Sequence, residues 1–490
     1  MKKTVLALLT LVFVVLTTMV LAEVSLSIPE GICSYQDNVL QATVPAEGSC
    51  DIEVLSDVTV MARLTDIRVE TGTNSVTWNG LGFGDEVLLK ANYTMRVCYT
   101  AQDGTKEEVS QVFTMGKPKQ ALLYALPATD TLWLEDGSAW SMQFETTRPG
   151  KIVMKLYAAE DPEEVAGTVV FTGMSGATRV KWNGCVNGKK LAAGNYHVVC
   201  YAQTNEAVKR EFELAICEGK QAVLPVTETG GIMPSRYATD EEIWQLMTAP
   251  AVVFNTDEGA GNPIYEEPRA GSGVLGYVHG TSVAVEVIRL EEDGKWAYVG
   301  AWAAGRANYI EGYVPVSKLK TVLPAQDYGL LVDKREQTMT IFEHGKRIAS
   351  LRVSTGKAQS MKSIKRETEA GSYLTVTRLT PFTTDGYRYE YVIRINQNNL
   401  IHSIGYNNVN KQHSFADESA TLGEKASHGC IRVERDTEGG INAWWLWTHL
   451  RWNTRVIVMD DPQERAADYA AYGVDREDMP YTGTGTNSWD

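Results

Sequence analysis

Residues 75–102, SVTWNGLGFGDEVLLKANYTMRVCYTAQ, recur as residues 178–203, TRVKWNGCVNGKKLAAGNYHVVCYAQ. Trp78-Asn79-Gly80 matches Trp182-Asn183-Gly184, and Asn92-Tyr93 matches Asn195-Tyr196. A stretch that returns after roughly a hundred residues marks two copies of one folding unit, each with its own core. Inside each copy, alternating runs such as YHVVCYA and REFELAI lie between Gly, Asn and Asp turns, the pattern of short strands with one buried face. Two β-sandwiches are therefore expected, at residues 23–120 and 121–222.

The Trp-Asn-Gly turn followed by Asn-Tyr and a strand resembles the immunoglobulin-like modules of bacterial surface proteins. Three cysteines fall in each copy: Cys33, Cys50 and Cys98, then Cys185, Cys200 and Cys217. Six cysteines allow fifteen disulfide connectivities. Cys200 and Cys217 lie on strands that a sandwich makes neighbours, so that pair is the favoured bridge; the other reading of these thiols is small core residues.

Residues 223–260 read as a linker with one short amphipathic helix at DEEIWQLM. From 261 to 322 the order is a short strand, a charged glycine loop, alternating strands and EGYVPVSKL. That order, with Gly312-Tyr313-Val314, resembles the bacterial SH3 domain, which implies either cell-wall binding or a spacer.

The N-terminus bears on compartment. Lys2 and Lys3 precede an apolar run to Ala22, the layout of a secretory signal peptide over residues 1–22, cut before Glu23. The alternative is an uncleaved membrane anchor. Either layout puts the remainder outside the cytoplasm, in secreted or cell-wall form, with membrane contact only if the leader is retained. The chain of 490 residues has a net charge of −15; without residues 1–22 it keeps 44 basic against 61 acidic residues, or −17. A surface that acidic repels phosphate backbones, which argues against nucleic acid and anionic membrane as partners.

From Tyr328 onward, YGLLVDKREQTMTIFEHGKRIASLRVSTG predicts two or three strands with polar turns, and YEYVIRINQNNLIHSIGY a hairpin across Gln397-Asn398-Asn399. DTEGGINAWWLWTHL predicts a helix capped at Asp436 or Thr437, with Trp444, Trp445 and Trp447 as packing residues, and TRVIVM a buried closing strand. Between them stands the last cysteine, in Ser427-His428-Gly429-Cys430-Ile431-Arg432. Acyl transfer from an unactivated amide needs a strong nucleophile, and thiolate is the best among side chains. A thiol of pKa ~8.5 needs a base within reach. Gly429 lets the backbone approach closely, so that amide N–H groups near Cys430 can face an oxyanion. Arg432 offers a cationic fork for a substrate carboxylate or for bracing the loop.

Ser-His-Gly-Cys, together with the upstream STGK (354–357) and IHS (401–403), resembles the L,D-transpeptidase signature of the YkuD-like family over residues 326–460. The resemblance implies a peptidoglycan stem tetrapeptide as donor, a thioester on Cys430, and 3→3 cross-links between stem peptides. Water as acceptor would make the enzyme an L,D-carboxypeptidase, and a protein amine is a third acceptor; the runner-up from another class is a wall-binding scaffold with a vestigial domain. No cofactor or metal is expected. A zinc site of Cys430, His428, His402 and His413 is the alternative use of the same residues, against which stands the lack of a second nearby cysteine. The sequence departs from the family in two ways: Glu434 and Arg435 stand where many members have asparagine, and the stretch between the upstream histidine and Cys430 is long.

In the family pattern the base comes from the upstream strand end, while the histidine beside the cysteine supports the loop. His402, at the end of an apolar strand, is the expected base for Cys430; His413, in the polar stretch NNVNKQHSFADES, is the competing candidate and an expected substrate contact. The catalytic set is Cys430, His402, His428, Gly429 and Ser427, and the substrate-binding set is Arg432, Ser403 and His413. The fold expected is mainly β and multidomain: two Ig-like sandwiches, an SH3-like barrel and a β-rich catalytic domain with a few helices. The N-terminal modules read as spacer and anchor, so that residues 323–490 would work alone, and the polar tail 461–490 reads as disordered.

Overall fold

The structure, a computed structural model, describes residues 23–461 except 136–138, 175, 304–307, 358–366, 398, 436 and 438. The leader, most of the tail, Asn398 and Asp436 lie outside the described residues.

Mainly β and multidomain is what the chain forms. In the first repeat unit, Ser25–Ser27, Asn38–Val44 and Gly72–Trp78 make a three-stranded sheet. It faces a four-stranded one of Gly48–Ser56, Thr59–Val69, Asn92–Ala101 and Lys106–Thr114. Alternation in NYTMRVCYTA sends Tyr93, Met95, Val97 and Tyr99 inward, onto Leu40, Ile52 and Trp78 from both sheets. In the second unit Leu122–Pro127, Trp140–Thr146 and Thr178–Trp182 form one sheet, and a five-stranded sheet around Gly150–Ala158 and Gly194–Ala202 the other.

The shared motif does the same work twice. Trp78 Nε1 donates to Leu81 O (3.0 Å) and Trp182 Nε1 to Cys185 O (2.8 Å). The Asn79 and Asn183 side chains accept from the amides two residues on, both at 3.1 Å. The glycine has φ +75° at Gly80, where a Cβ would sit 2.3 Å from Cys33 O. Tyr93 and Tyr196 each hydrogen-bond the carbonyl four residues upstream, Leu89 O and Ala192 O. The repeat is thus a turn that caps the buried tryptophan and a tyrosine that pins the strand entry.

The favoured disulfide is not formed. All seven cysteines are free. Gly194–Ala202 and Asn205–Cys217 do pair, but Cys200 lies opposite Arg210, seven residues before Cys217. At ~3.3 Å per residue that is roughly 23 Å of strand, far beyond disulfide reach. Adjacent strands were read correctly; the register decides against the bond.

The third unit is a seven-stranded sheet that takes in Ala251–Phe254, which the sequence assigns to the linker and which pairs with both Ala284–Leu290 and Leu319–Val322. The linker helix forms at Asp240–Thr248, opened by a Thr239/Glu242 capping box, and its Ile243 and Met247 pack on Phe342 and Ile457.

The C-terminal part is built on a nine-stranded sheet. Tyr328–Asp333, Thr338–Glu343 and Lys346–Ser354 run antiparallel, and Arg455–Met459 lies parallel to the first. Ile431–Val433 is wedged between Lys346–Ser354 and Leu400–Ser403, parallel to the latter. The helix starts later than expected: Ala443–His449, with Asn442 accepting from Trp445 N (3.0 Å). Gly440, at φ +76°, cannot continue helical backbone, so Thr437 is not the cap.

Candidate functional site

Register brings the two motifs together. Ile401 pairs with Ile431, His402 with Arg432 and Ser403 with Val433. Paired residues of a parallel ladder share a face, and residues two apart share it again. His402, Arg432, Leu400 and, one residue before its strand, Cys430 therefore stand on one face. The Leu400 backbone amide reaches the Cys430 thiol. Burial pushes that thiol up, opposed by the Leu400 amide and the Arg432 guanidinium, so at rest the sulfur keeps its proton.

His402 is buried and edged by the rings of Tyr389 (4.7 Å) and Phe382 (5.5 Å). Its Nδ1 lies 2.7 Å from Ser403 O. A carbonyl only accepts, so Nδ1 carries the hydrogen and Nε2 is the bare, proton-accepting nitrogen. Burial pushes His402 down to about 4, keeping the imidazole neutral at neutral pH.

The Ser-His-Gly-Cys loop is closed on itself and on the sheet. The Ser427 hydroxyl donates to Cys430 O and accepts from Gly429 N (3.1 Å). Gly429 has φ +121°, a conformation open to glycine. Its amide is spent on Ser427. Lys357 N donates to Ser427 O (3.1 Å), which ties the STGK strand end to the loop. Buried Thr368 accepts from Gly356 N and donates to Gly429 O, both at 2.8 Å. Nothing in the spacing marked this threonine.

His428 is half-exposed, its Nδ1 3.9 Å from Asp385 Oδ2. Asp385 belongs to the hairpin Phe382–Thr384 and Tyr387–Tyr389, whose outer ring covers His402. The Asp-Gly turn in FTTDGYRY is the signal that would have found this flap.

Three expected substrate contacts take other places. Arg432 pairs with Glu418 (Nη1 to Oε2, 3.0 Å) and donates to Tyr389 Oη (3.3 Å), so it braces the site. The Ser403 side chain alternates to the opposite face, fully buried, and accepts from Glu390 N (3.3 Å); its carbonyl is what serves His402. His413 lies on the hairpin Asn407–Val409 and Gln412–Ser414, stacked on Tyr406 at 4.1 Å. Its carbonyl accepts from Ser56 of the first repeat unit (2.8 Å). The long insertion thus docks on the first unit. Among the described residues, no group of three or more His, Cys, Asp or Glu is placed to hold a metal ion.

His402 and His413 are both held near about 4 against an ordinary 6.5, each chiefly by burial. Between those values each of these two histidines binds more protons in the unfolded chain than in the folded one, so their contribution to stability is flat above about 6.5 and falls as the pH drops toward 4. His413→Asn is expected to flatten that slope by about one proton. Urea midpoints at pH 4.5 to 7.5 check it; identical slopes in the two proteins would refute the assignment.

Residues 327–458 match the YkuD family, the L,D-transpeptidase catalytic domain. Among solved structures, the chain is similar to a fused Zn-dependent amidase/peptidase/peptidoglycan-binding domain-containing protein of Clostridium acetobutylicum (20% identity, 27% of this chain and 51% of that one, TM-score 0.20). It is similar to the L,D-transpeptidase of Xylanimonas cellulosilytica (16% identity, 27% and 61%, TM-score 0.21). A third likeness is to the L,D-transpeptidase of Mycobacterium smegmatis (14% identity, 49% and 98%, TM-score 0.23). The first two are thus spanned over only 51% and 61% of their length. No curated protein matches the chain.

Proposed function

We propose that the YkuD L,D-transpeptidase domain at residues 327–458 makes this chain a peptidoglycan cross-linking enzyme that works through a thioester on Cys430. What supports the reading is that Cys430 and a neutral, Nδ1-anchored His402 stand on one face of adjacent parallel strands. Cys430 Sγ attacks the carbonyl of the third stem residue as His402 Nε2 takes the thiol proton. The bond to the terminal D-alanine breaks, and its amine leaves with that proton. The side-chain amine of a neighbouring stem then attacks the thioester, giving a 3→3 cross-link and restoring the thiol. Water in place of the amine gives the carboxypeptidase.

A resting thiol beside a weakly basic imidazole is a neutral pair, so the proton moves only as the substrate carbonyl arrives. His428 faces Asp385 of the hairpin over residues 382–389. In this reading residues 23–222 are Ig-like modules and 251–322 an SH3-like module, and the exported chain works at the cell wall. Wild-type protein incubated with a carbapenem is expected to gain one adduct, placed on Cys430 by peptide mapping. Incubation with a disaccharide tetrapeptide should yield 3→3 dimer and D-alanine. No adduct and no product would leave the scaffold reading in its place.

A further inference from the structure

We propose that Glu86, on the first repeat unit, is a positioning residue of the acyl-transfer site some 350 residues further along the chain, an inference that rests on Cys430 as nucleophile. Glu86 and Arg435 are both almost fully buried and form an ion pair across the interface. Tyr391 Oη donates to the same carboxylate oxygen (2.6 Å). The Arg435 guanidinium lies over the rings of Tyr391 (5.1 Å) and Phe415 (4.7 Å). Glu86 itself is fixed by Gly82 N, which donates to its carbonyl at 2.8 Å.

Both residues that Glu86 grips lead into the site. Arg435 ends the segment that begins at Cys430 and runs through Ile431–Val433. Tyr391 follows Glu390, whose amide donates to Ser403 Oγ (3.3 Å) and whose carbonyl accepts from Ser403 N (3.1 Å). Ser403 O in turn holds His402 Nδ1. One carboxylate on a separate unit thus ties the nucleophile's strand to the backbone that orients the base. Stability is a poor explanation for such a pair, because well-packed apolar residues usually replace a buried ion pair at no loss. Fixing two segments in one geometry is what directional, charged contacts do and apolar ones do not.

The test uses the full chain with Glu86→Gln, Arg435→Met and the double variant, all followed by mass spectrometry of Cys430. For Glu86→Gln the limiting rate of carbapenem acylation should fall about tenfold or more, with little change in the half-saturating concentration. The single variants should melt lower than wild type. The double variant, with no charge stranded, should regain the melting temperature but not the rate. Recovery of both in the double variant, or an undiminished limiting rate in folded Glu86→Gln protein, would overturn positioning and leave a structural pair. Should Glu86→Gln fail to fold, Glu86→Asp keeps the charge with a shorter reach and must show the same rate loss. The pH profile of Cys430 alkylation by iodoacetamide needs no acyl transfer, and Glu86→Gln must shift it. A wild-type protein that takes no carbapenem sinks the proposed function alone; an unshifted alkylation profile sinks the positioning role.

Discussion

Cys430→Ala should take no carbapenem adduct at all, and His402→Ala should acylate roughly 10²-fold or more slowly than wild type. His413→Ala should stay within a few-fold of wild type. The thiol is held protonated by burial, so attack needs a base on its own face of the sheet. Register puts His402 there, with Nδ1 committed to Ser403 O and Nε2 left to accept. His413 is stacked on Tyr406 against the first repeat unit. Burst kinetics followed by intact mass give all three rates. A large loss in His413→Ala with none in His402→Ala would reverse the assignment of the base.

Residues 323–490 alone are expected neither to melt cooperatively nor to acylate, in contrast to residues 23–490. The N-terminal units are more than the spacer and anchor that their sequence suggests. Ile404, Tyr406, Phe415 and Leu422, all buried, belong to the same apolar cluster as Leu40, Ile52 and Trp78 of the first unit. Leu123 and Tyr124 of the second unit sit in the cluster of Trp444, Trp447 and Val456. Tyr124 meets Trp447 edge-on at 4.7 Å and lies under the Arg378 guanidinium, 4.7 Å away. Truncation exposes both faces and strips Arg435 of Glu86. Each large side chain returned to water costs about 1.5–3 kcal/mol, and a few of these equal the whole stability of a small domain. A fragment with a sharp thermal transition and wild-type acylation would show that the catalytic part stands alone after all.

Local chemistry was legible wherever neighbours in sequence are neighbours in space. The Trp-Asn-Gly turn, the short helix at DEEIWQLM and the leading strands of the nine-stranded sheet all follow from residues within a few positions. The helix start was misplaced because Asp436 and Thr437 resemble caps, while the positive φ of Gly440 appears only in the folded backbone. Ser403, the last residue of IHS, is expected at the substrate, yet strand alternation turns its hydroxyl away and leaves the carbonyl as the working atom.

By itself the sequence determined the chemistry on offer: one cysteine in a glycine-backed loop, a histidine at a strand end, and a repeat that demands two sandwiches. Only the tertiary structure decided which histidine shares the cysteine's face, that Arg432 is spent on Glu418, that Cys200 and Cys217 stand apart, and that Glu86 meets Arg435. The physical reason is that side-chain identity is a local property. Register, face and burial partner are set by which strands pair and which apolar surfaces meet, across separations in sequence that no short-range pattern records.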